Sequence, residues 1–134
     1  MSQENVEILD AFYAAFNRRS FDDIVLCMDP NVELRPGVMA PDSDERYLGH
    51  DGLRVFLVEV APGPWETVSM EPLERLEAEG GRILSIDQWR FRASDGMDLE
   101  QELSTLYAFR GGLIVAIDGF TERAAALKAA GLSE

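Results

Sequence analysis

The chain of 134 residues has the length of one domain around one hydrophobic core, and we expect residues 1–134 to form a single domain. Its 25 acidic and 12 basic residues give a formal net charge of −13, which repels phosphate backbones and argues against nucleic acid as a partner. No run of 18 apolar residues occurs, so the composition also excludes a membrane-spanning helix.

Metal-binding and redox residue types are scarce. Cys27 is the only cysteine and His50 the only histidine, which excludes an internal disulfide and removes most cysteine-based and histidine-based metal sites. We therefore expect no metal and no cofactor. The first five residues are polar or acidic and carry no apolar signal core, so a cytoplasmic location is the expected default.

Helical patterns open the chain. Ser2 is placed to cap a first helix, on which apolar residues recur at spacings of three and four and which should end near residues 17–19. Ser20 is predicted to cap a short second helix that runs through Met28. This helix should stop before Pro30, because the residue that precedes a proline is pushed out of the helical region.

A strand, a loop and a third helix follow. Residues 31–35 alternate between apolar and charged side chains and predict a strand. Residues 38–47 carry a proline and several acidic residues, which is typical of a loop. Gly49-His50-Asp51-Gly52 is predicted to open a third helix, and Pro62-Gly63-Pro64 to end it.

In the second half of the chain, apolar residues recur at every second position. Glycine-containing turns separate its apolar segments, so we expect antiparallel neighbours joined as a meander. The predicted strands are residues 65–78, 82–93, 98–110 and 113–120. Thr121 is predicted to cap a last helix that Gly131 closes at its C′ position. Helices followed by an antiparallel sheet indicate the α+β class.

Several strings resemble, in chain order, segments of the SnoaL-like branch of the nuclear-transport-factor-2-like superfamily. They are Val6 to Leu9 with Phe12 to Asn17, Met28 to Pro36, Tyr47 to Gly52, Phe109 to Ile114 and Ala124 to Gly131. The resemblance implies a cone-shaped fold, in which N-terminal helices pack on a curved, mostly antiparallel sheet around a mostly apolar cavity. It also implies a small hydrophobic molecule as partner and a homodimer formed through the convex face of the sheet.

The catalytic sets of two enzymes in this superfamily match the chain poorly. By resemblance, Tyr13 falls where ketosteroid isomerase keeps its oxyanion-stabilising tyrosine, but the position of its base falls on Arg35. A guanidinium cannot accept a proton at working pH, so that mechanism lacks its base. The Asp-Arg-Asp set of limonene epoxide hydrolase falls on Asp87, Trp89 and the neighbourhood of Gly119, and is not reproduced. Both reactions are therefore disfavoured.

Asp87 is the main catalytic candidate. It shares one face of its predicted strand with largely apolar neighbours, where an ionised carboxylate must be paired or have a raised pKa. We predict that Asp87 acts as acid or base and that Tyr13 donates a hydrogen bond to developing oxyanion charge. The alternative is that Asp87 pairs with a cation such as Arg35 and only satisfies the interior.

Four residues are candidates for ligand binding: Glu33, Arg35, Trp89 and His50. Alternation alone leaves Glu33 and Arg35 in water as a weak surface pair, whereas the resemblance turns them toward the cavity, where Arg35 would anchor a carboxylate or enolate. Trp89 would belong to an aromatic wall or to the ordinary core. His50 would be a base or a brace of the turn before its helix.

Two functions stay open at this point. The chain is an acid–base enzyme that acts on a small hydrophobic compound, as an isomerase, cyclase or hydrolase. Alternatively, it is a non-catalytic module for ligand binding or dimerisation. The mismatch with both known catalytic sets favours the alternative, and the lone carboxylate on an apolar face favours the enzyme.

Overall fold

The structure, a computed structural model, describes residues 1–37, 46–60, 62–63 and 65–133. Its elements are α1 Gln3–Asn17, α2 Phe21–Val25, β1 Met28–Arg35, β2 Tyr47–Leu48, α3 Gly49–Arg54, a π-helical segment Val55–Val60, β3 Trp65–Glu77, a 3₁₀ turn Glu79–Gly81, β4 Ile83–Ala93, β5 Asp98–Arg110, β6 Leu113–Phe120 and α4 Arg123–Ala129. None of the helices in these described ranges is long and apolar enough to cross a membrane.

Helix α1 begins where its capping pattern predicts. The Ser2 hydroxyl accepts a hydrogen bond from the Asn5 backbone N–H at 3.3 Å, and Glu4 lies in the first turn, where the helix dipole favours an acid. The apolar stripe buries Leu9 and Phe12 against the sheet. At the other end, the Asn17 side chain forms two 2.9 Å hydrogen bonds with the backbone of Met70 and fixes the end of α1 to β3.

The strands of the described chain form one curved sheet in the order β2-β1-β6-β5-β4-β3. All neighbours are antiparallel except β1 and β6, which are parallel. The long strands β3, β4 and β5 continue into β6 as the predicted meander. Gly111 and Gly112, with φ of 60° and 78°, supply the left-handed backbone that a two-residue hairpin turn between β5 and β6 requires. The predicted α+β fold is confirmed.

Helices cover parts of both faces of this sheet. We call the face that packs on α1 the inner face and the opposite one the outer face. On the outer face, α4 buries Ala126 and Leu127 in one cluster with Leu84 of β4 and Leu106 of β5. Strand β4 is therefore buried continuously from Ile83 to Asp87, as expected for a strand that is covered on both sides.

The outer face beyond α4 is polar. Arg90 of β4 lies 3.1 Å from Glu100 of β5, and Arg92 lies 2.9 Å from Asp98. Basic side chains of β4 thus face acidic side chains of β5. These pairs are exposed and each contributes little to stability. The homodimer predicted through this face stays a prediction.

The predicted second helix was too long. Helix α2 ends at Val25, and β1 already begins at Met28 and contains Pro30. Strand β1 tolerates the proline because its pairing with β6 shifts register between Met28 and Glu33, so that no ladder hydrogen bond needs an N–H from Pro30.

Two further boundaries differ from the predictions. Tyr47 belongs to the short strand β2 rather than to a loop, because it pairs with Leu34 of β1. Residues 38–45 of the predicted loop lie outside the described residues. Helix α4 begins at Arg123 with Glu122 as its N-cap, so Thr121 is not the cap. Gly131 does take the predicted left-handed conformation, with φ of 75°.

Candidate ligand-binding site

A cavity of about 360 Å³ lies between the helical elements and the inner face of the sheet. Its wall combines the end of α1, helix α2, the π-helical segment, and strands β3, β4 and β5. The apolar part of the wall includes Phe16, Phe21, Phe56, Val68, Trp89 and Phe91. Its polar part consists of Arg19, Gln101 and Thr121, and no acidic residue of the described chain lines it.

Aromatic rings form one continuous side of the cavity. The Trp89 ring stacks on Phe91 with centroids 6.0 Å apart, and Phe16 meets Trp89 edge-on at 5.4 Å. Such offset and edge-to-face arrangements stabilise aromatic clusters beyond the area they bury. Trp89 belongs both to the core cluster and to this side of the cavity, and its indole N–H is buried without an acceptor among the described residues; its contact with a ligand stays a prediction.

A smaller cavity of about 40 Å³ lies beside the first one. The two cavities share Phe16, Phe56, Leu57 and Trp89. Tyr107 and Thr105 of β5 line only the smaller cavity. The Tyr107 ring is therefore separated from the larger cavity by the residues that both cavities share.

Asp87 anchors a buried hydrogen-bond network beside these cavities. Its side chain is 0% exposed, and its Oδ2 accepts a hydrogen bond from the Tyr13 hydroxyl at 2.6 Å. Ser85 lies two residues earlier on the same face of β4 and donates to Oδ1 at 2.7 Å. Tyr107 donates to the Tyr13 hydroxyl oxygen at 3.1 Å. All three hydroxyl protons are thus used within the network.

Burial sets the protonation of this network. Loss of solvation raises the pKa of Asp87, although hydrogen bonds from Tyr13 and Ser85 and the charge of Arg75 oppose that rise. Burial also raises the pKa of Tyr13 well above its usual value, and that of Tyr107 likewise. Both phenols stay protonated at neutral pH and act as donors, so Asp87 is the group in this network that can exchange a proton.

Arg75 is a member of this region that the sequence pattern did not indicate. Its side chain is 13% exposed, pairs with Asp10, and places its guanidinium carbon 4.8 Å from the Tyr13 ring centroid. The Nε and Nη2 atoms are buried without an acceptor in the described part of the chain. A register shift between Pro72 and Glu74 turns Arg75 to the inner face; Pro72 inside the strand was the available signal.

The predicted site residues lie in three different places. Tyr13 and Asp87 contact each other but line neither cavity, whereas Trp89 lines both. Glu33 and Arg35 form an ion pair of 3.1 Å on β1, away from the two cavities. The neighbouring Leu34 and Pro36 line the smaller cavity, so the outward position of Glu33 and Arg35 agrees with the simple alternation of the strand, and their role in ligand binding stays a prediction.

His50 braces the junction between β1 and α3. Its Nε2 lies 3.1 Å from the backbone carbonyl oxygen of Met28, and the ring is half-buried. The side chain lines neither of the two cavities. The geometry therefore matches the bracing role, and a ligand contact of His50 stays a prediction.

Sequence comparison assigns the family. The family model of the SnoaL-like domain matches residues 9–117. The chain belongs to the SnoaL-like family. No curated protein sequence matches the chain significantly.

Solved structures show the same fold for this SnoaL-like chain. TerC, co-crystallised with polyporic acid, superposes with a TM-score of 0.79 at 23% identity, over 94% of this chain and 97% of that one. A nuclear-transport-factor-2-like protein of unknown function from Burkholderia pseudomallei K96243 gives 0.78 at 21% identity, over 97% and 98%. RV0760c from Mycobacterium tuberculosis, in complex with estradiol-17beta-hemisuccinate, gives 0.72 at 14% identity, over 91% and 96%.

Proposed function

We propose that this chain binds a small, mainly apolar molecule in the 360 Å³ cavity. The observation that carries the proposal is the cavity itself, which has the size and the apolar, aromatic lining of a small-molecule site. The complexes of TerC with polyporic acid and of RV0760c with estradiol-17beta-hemisuccinate support a pocket that holds small molecules in this fold.

The cavity is larger than a packing defect. Protein interiors contain few voids larger than a water molecule, because an unfilled space forfeits dispersion contacts along its lining. Here the rings of Phe16, Trp89 and Phe91 are held against each other and still leave the space beside them open. A ligand that fills it recovers those contacts and removes apolar surface from water.

The test uses the neutral fluorescent probe N-phenyl-1-naphthylamine. Val68 of β3 lines the cavity, and Val68→Trp fills part of it; Leu73 lies on the same strand, is exposed and lines neither cavity. We expect wild type and Leu73→Trp to enhance probe fluorescence saturably and Val68→Trp to bind at least about tenfold more weakly, since overfilled sites accommodate ligands poorly. Absence of saturable binding to the wild type would contradict the proposal.

We propose acid–base chemistry at Asp87 and Tyr13 as a second candidate function. The observation that favours it is a buried carboxylate with a raised pKa, which Tyr13 and Tyr107 connect by hydrogen bonds to the smaller cavity. A proton would then pass between Asp87 and a ligand by way of the two phenols. Because every hydroxyl proton of the network is already donated, this route requires the hydrogen bonds to be rearranged when a ligand is bound.

Deuterium incorporation separates the two candidates. Wild type is incubated in D₂O with a panel of unsaturated ketones, and NMR follows exchange next to the carbonyl group. The second candidate predicts exchange that Asp87→Asn abolishes and that Asp118→Asn, on the other side of the sheet, leaves unchanged. If the protein binds the probe but catalyses no exchange, only the binding function is supported.

A further inference from the structure

Arg19 lines the mouth of the larger cavity and is its only charged lining residue in the described chain. Its exposed side chain stands just past the end of α1, whose position the Asn17–Met70 hydrogen bonds fix. The chain has more than twice as many acidic as basic residues, yet the charge placed at this cavity is positive.

The backbone of Arg19 takes a conformation that favours glycine. Its φ is 57°, in the left-handed region, and it is the only residue other than glycine with positive φ among those described. The N–H of Arg19 bonds to the carbonyl of Phe16 and that of Ser20 to the carbonyl of Ala15, both at 3.0 Å. This pair of bonds is the Schellman motif, in which the C′ residue is usually glycine.

Helix α4 ends with the same motif and shows the usual choice. There the N–H of Gly131 bonds to Lys128 and that of Leu132 to Leu127, so Gly131 occupies the position that Arg19 occupies in α1. Gly131 has a φ of 75° and pays no steric penalty. The helix end itself therefore does not require an arginine, and the side chain of Arg19 calls for another explanation.

The two arginines at the end of α1 differ in their partners. Arg18 lies 2.8 Å from Asp23 and is neutralised by it. Arg19 forms no ion pair with any described residue, and none of the described acidic residues lines the cavity. Since the net charge of the whole chain repels anions, attraction of an anion to this cavity must come from a local cation, and Arg19 is placed to supply it.

We propose that the ligand of this cavity is an apolar molecule with one anionic group, such as a carboxylate, and that the Arg19 guanidinium binds that group at the mouth. The planar fork of arginine suits two-point binding of a carboxylate or sulfonate. The apolar body of the ligand then lies along Phe16 and Trp89, and Gln101 and Thr121 offer further polar contacts at the mouth. This inference rests on the binding function proposed above and adds the chemical class of the ligand.

A matched pair of probes tests the anionic class. N-phenyl-1-naphthylamine is neutral, and 8-anilinonaphthalene-1-sulfonate has the same aromatic body with a sulfonate added. Both are titrated against wild type, Arg19→Gln and Arg18→Gln. We expect Arg19→Gln to weaken sulfonate binding about fivefold, as for a solvent-exposed charge-assisted contact, and to change the affinity for the neutral probe less than about twofold.

The control variant and the neutral probe distinguish the failures. Arg18→Gln lowers the net positive charge of the same helix end by the same amount, and we expect it to leave the affinities for both probes unchanged. Equal weakening of sulfonate binding by Arg18→Gln and Arg19→Gln, or equal weakening of both probes by Arg19→Gln, would overturn the inference. Binding of the neutral probe with no binding of the sulfonate also overturns it, while absence of neutral-probe binding to wild type overturns the proposed function itself.

Discussion

The Tyr13 hydroxyl lies 2.6 Å from Asp87 Oδ2 and joins the first helix to the middle of the sheet inside the core. The strand pattern indicated Asp87 and the family resemblance indicated Tyr13 as functional, each with a separate role toward a ligand. In the structure they are partners of each other, and Arg75 packs over the Tyr13 ring beside them. When one partner of a buried hydrogen bond is removed, the other is left unsatisfied, so substitutions in this network should change stability measurably.

Removal of the Tyr13 hydroxyl should destabilise the fold. Tyr13→Phe leaves Asp87 Oδ2 buried without its donor, so we expect a loss of about 1–3 kcal/mol in the free energy of unfolding. Tyr107→Phe removes the donor to Tyr13 and a hydrogen-bond partner of Thr105 but leaves the hydrogen bonds of Asp87 in place, so its loss should be smaller. Urea unfolding at neutral pH measures both values. A larger loss for Tyr107→Phe would contradict this account of the network.

Asp87 should make stability depend on pH. Its folded-state pKa is raised above the ordinary value of 3.8, so between these two values the folded state binds more protons than the unfolded state. The contribution of Asp87 is therefore fully present below pH 3.8 and is lost as the pH rises through the folded-state pKa. The difference in unfolding free energy between wild type and Asp87→Asn should fall with rising pH across this window. A difference that does not vary with pH would exclude a raised pKa.

Arg75 should restrain the pKa of Asp87. Its positive charge opposes the rise that burial causes, so Arg75→Met is expected to move the pH-dependent loss of stability to higher pH. Methionine retains much of the apolar stem, and two guanidinium nitrogens that are buried without an acceptor disappear with the charge. Urea unfolding as a function of pH measures the shift. Arg123→Met, at an exposed ion pair with Glu74, serves as the control and should leave the profile unchanged.

The outer face offers a test of the expected homodimer. Arg90→Ala with Glu100→Ala removes one exposed pair of opposite charges without a change in net charge. If two copies meet through this face, the double variant should dissociate at higher protein concentration than wild type, because each charge also faces the partner. Light scattering over a dilution series measures the mass. Arg18→Ala with Asp23→Ala, a pair between α1 and α2, is the matched control.

The repetitive parts of the fold were predictable because their signals are local. Strands β5 and β6 have the bounds that period two and the glycine turns indicate, and the α1 stripe is buried as its spacing predicts. The face that Asp87 shares with Ser85 and Trp89 was predictable in the same way, since alternation assigns it. Trp89 reaches the cavity wall for that reason.

The cavity and its polar residues depended on features without a local signal. One extra residue near Pro72 changes which side chains of β3 face inward and brings Arg75 to Tyr13. The cavity lies between α2, the π-helical segment and the sheet, and periodicity along the sequence does not describe how these elements pack on each other. Arg19 lines the cavity from a left-handed backbone conformation, and an arginine in the sequence does not predict that conformation.

Arg19 should lower the free energy of unfolding, and its proposed role in ligand binding would explain why an arginine stands there. In the left-handed conformation the Cβ of an L-residue is strained, whereas glycine is not, so Arg19→Gly should raise the free energy of unfolding by about 1 kcal/mol. At Arg18 the φ is −95°, and glycine there should give no such gain. Urea unfolding of both variants compares the two neighbouring positions. If Arg19→Gly is more stable than wild type and binds the sulfonate probe more weakly, the arginine at the end of α1 serves ligand binding and lowers stability. Equal stability of wild type and Arg19→Gly would contradict backbone strain at Arg19.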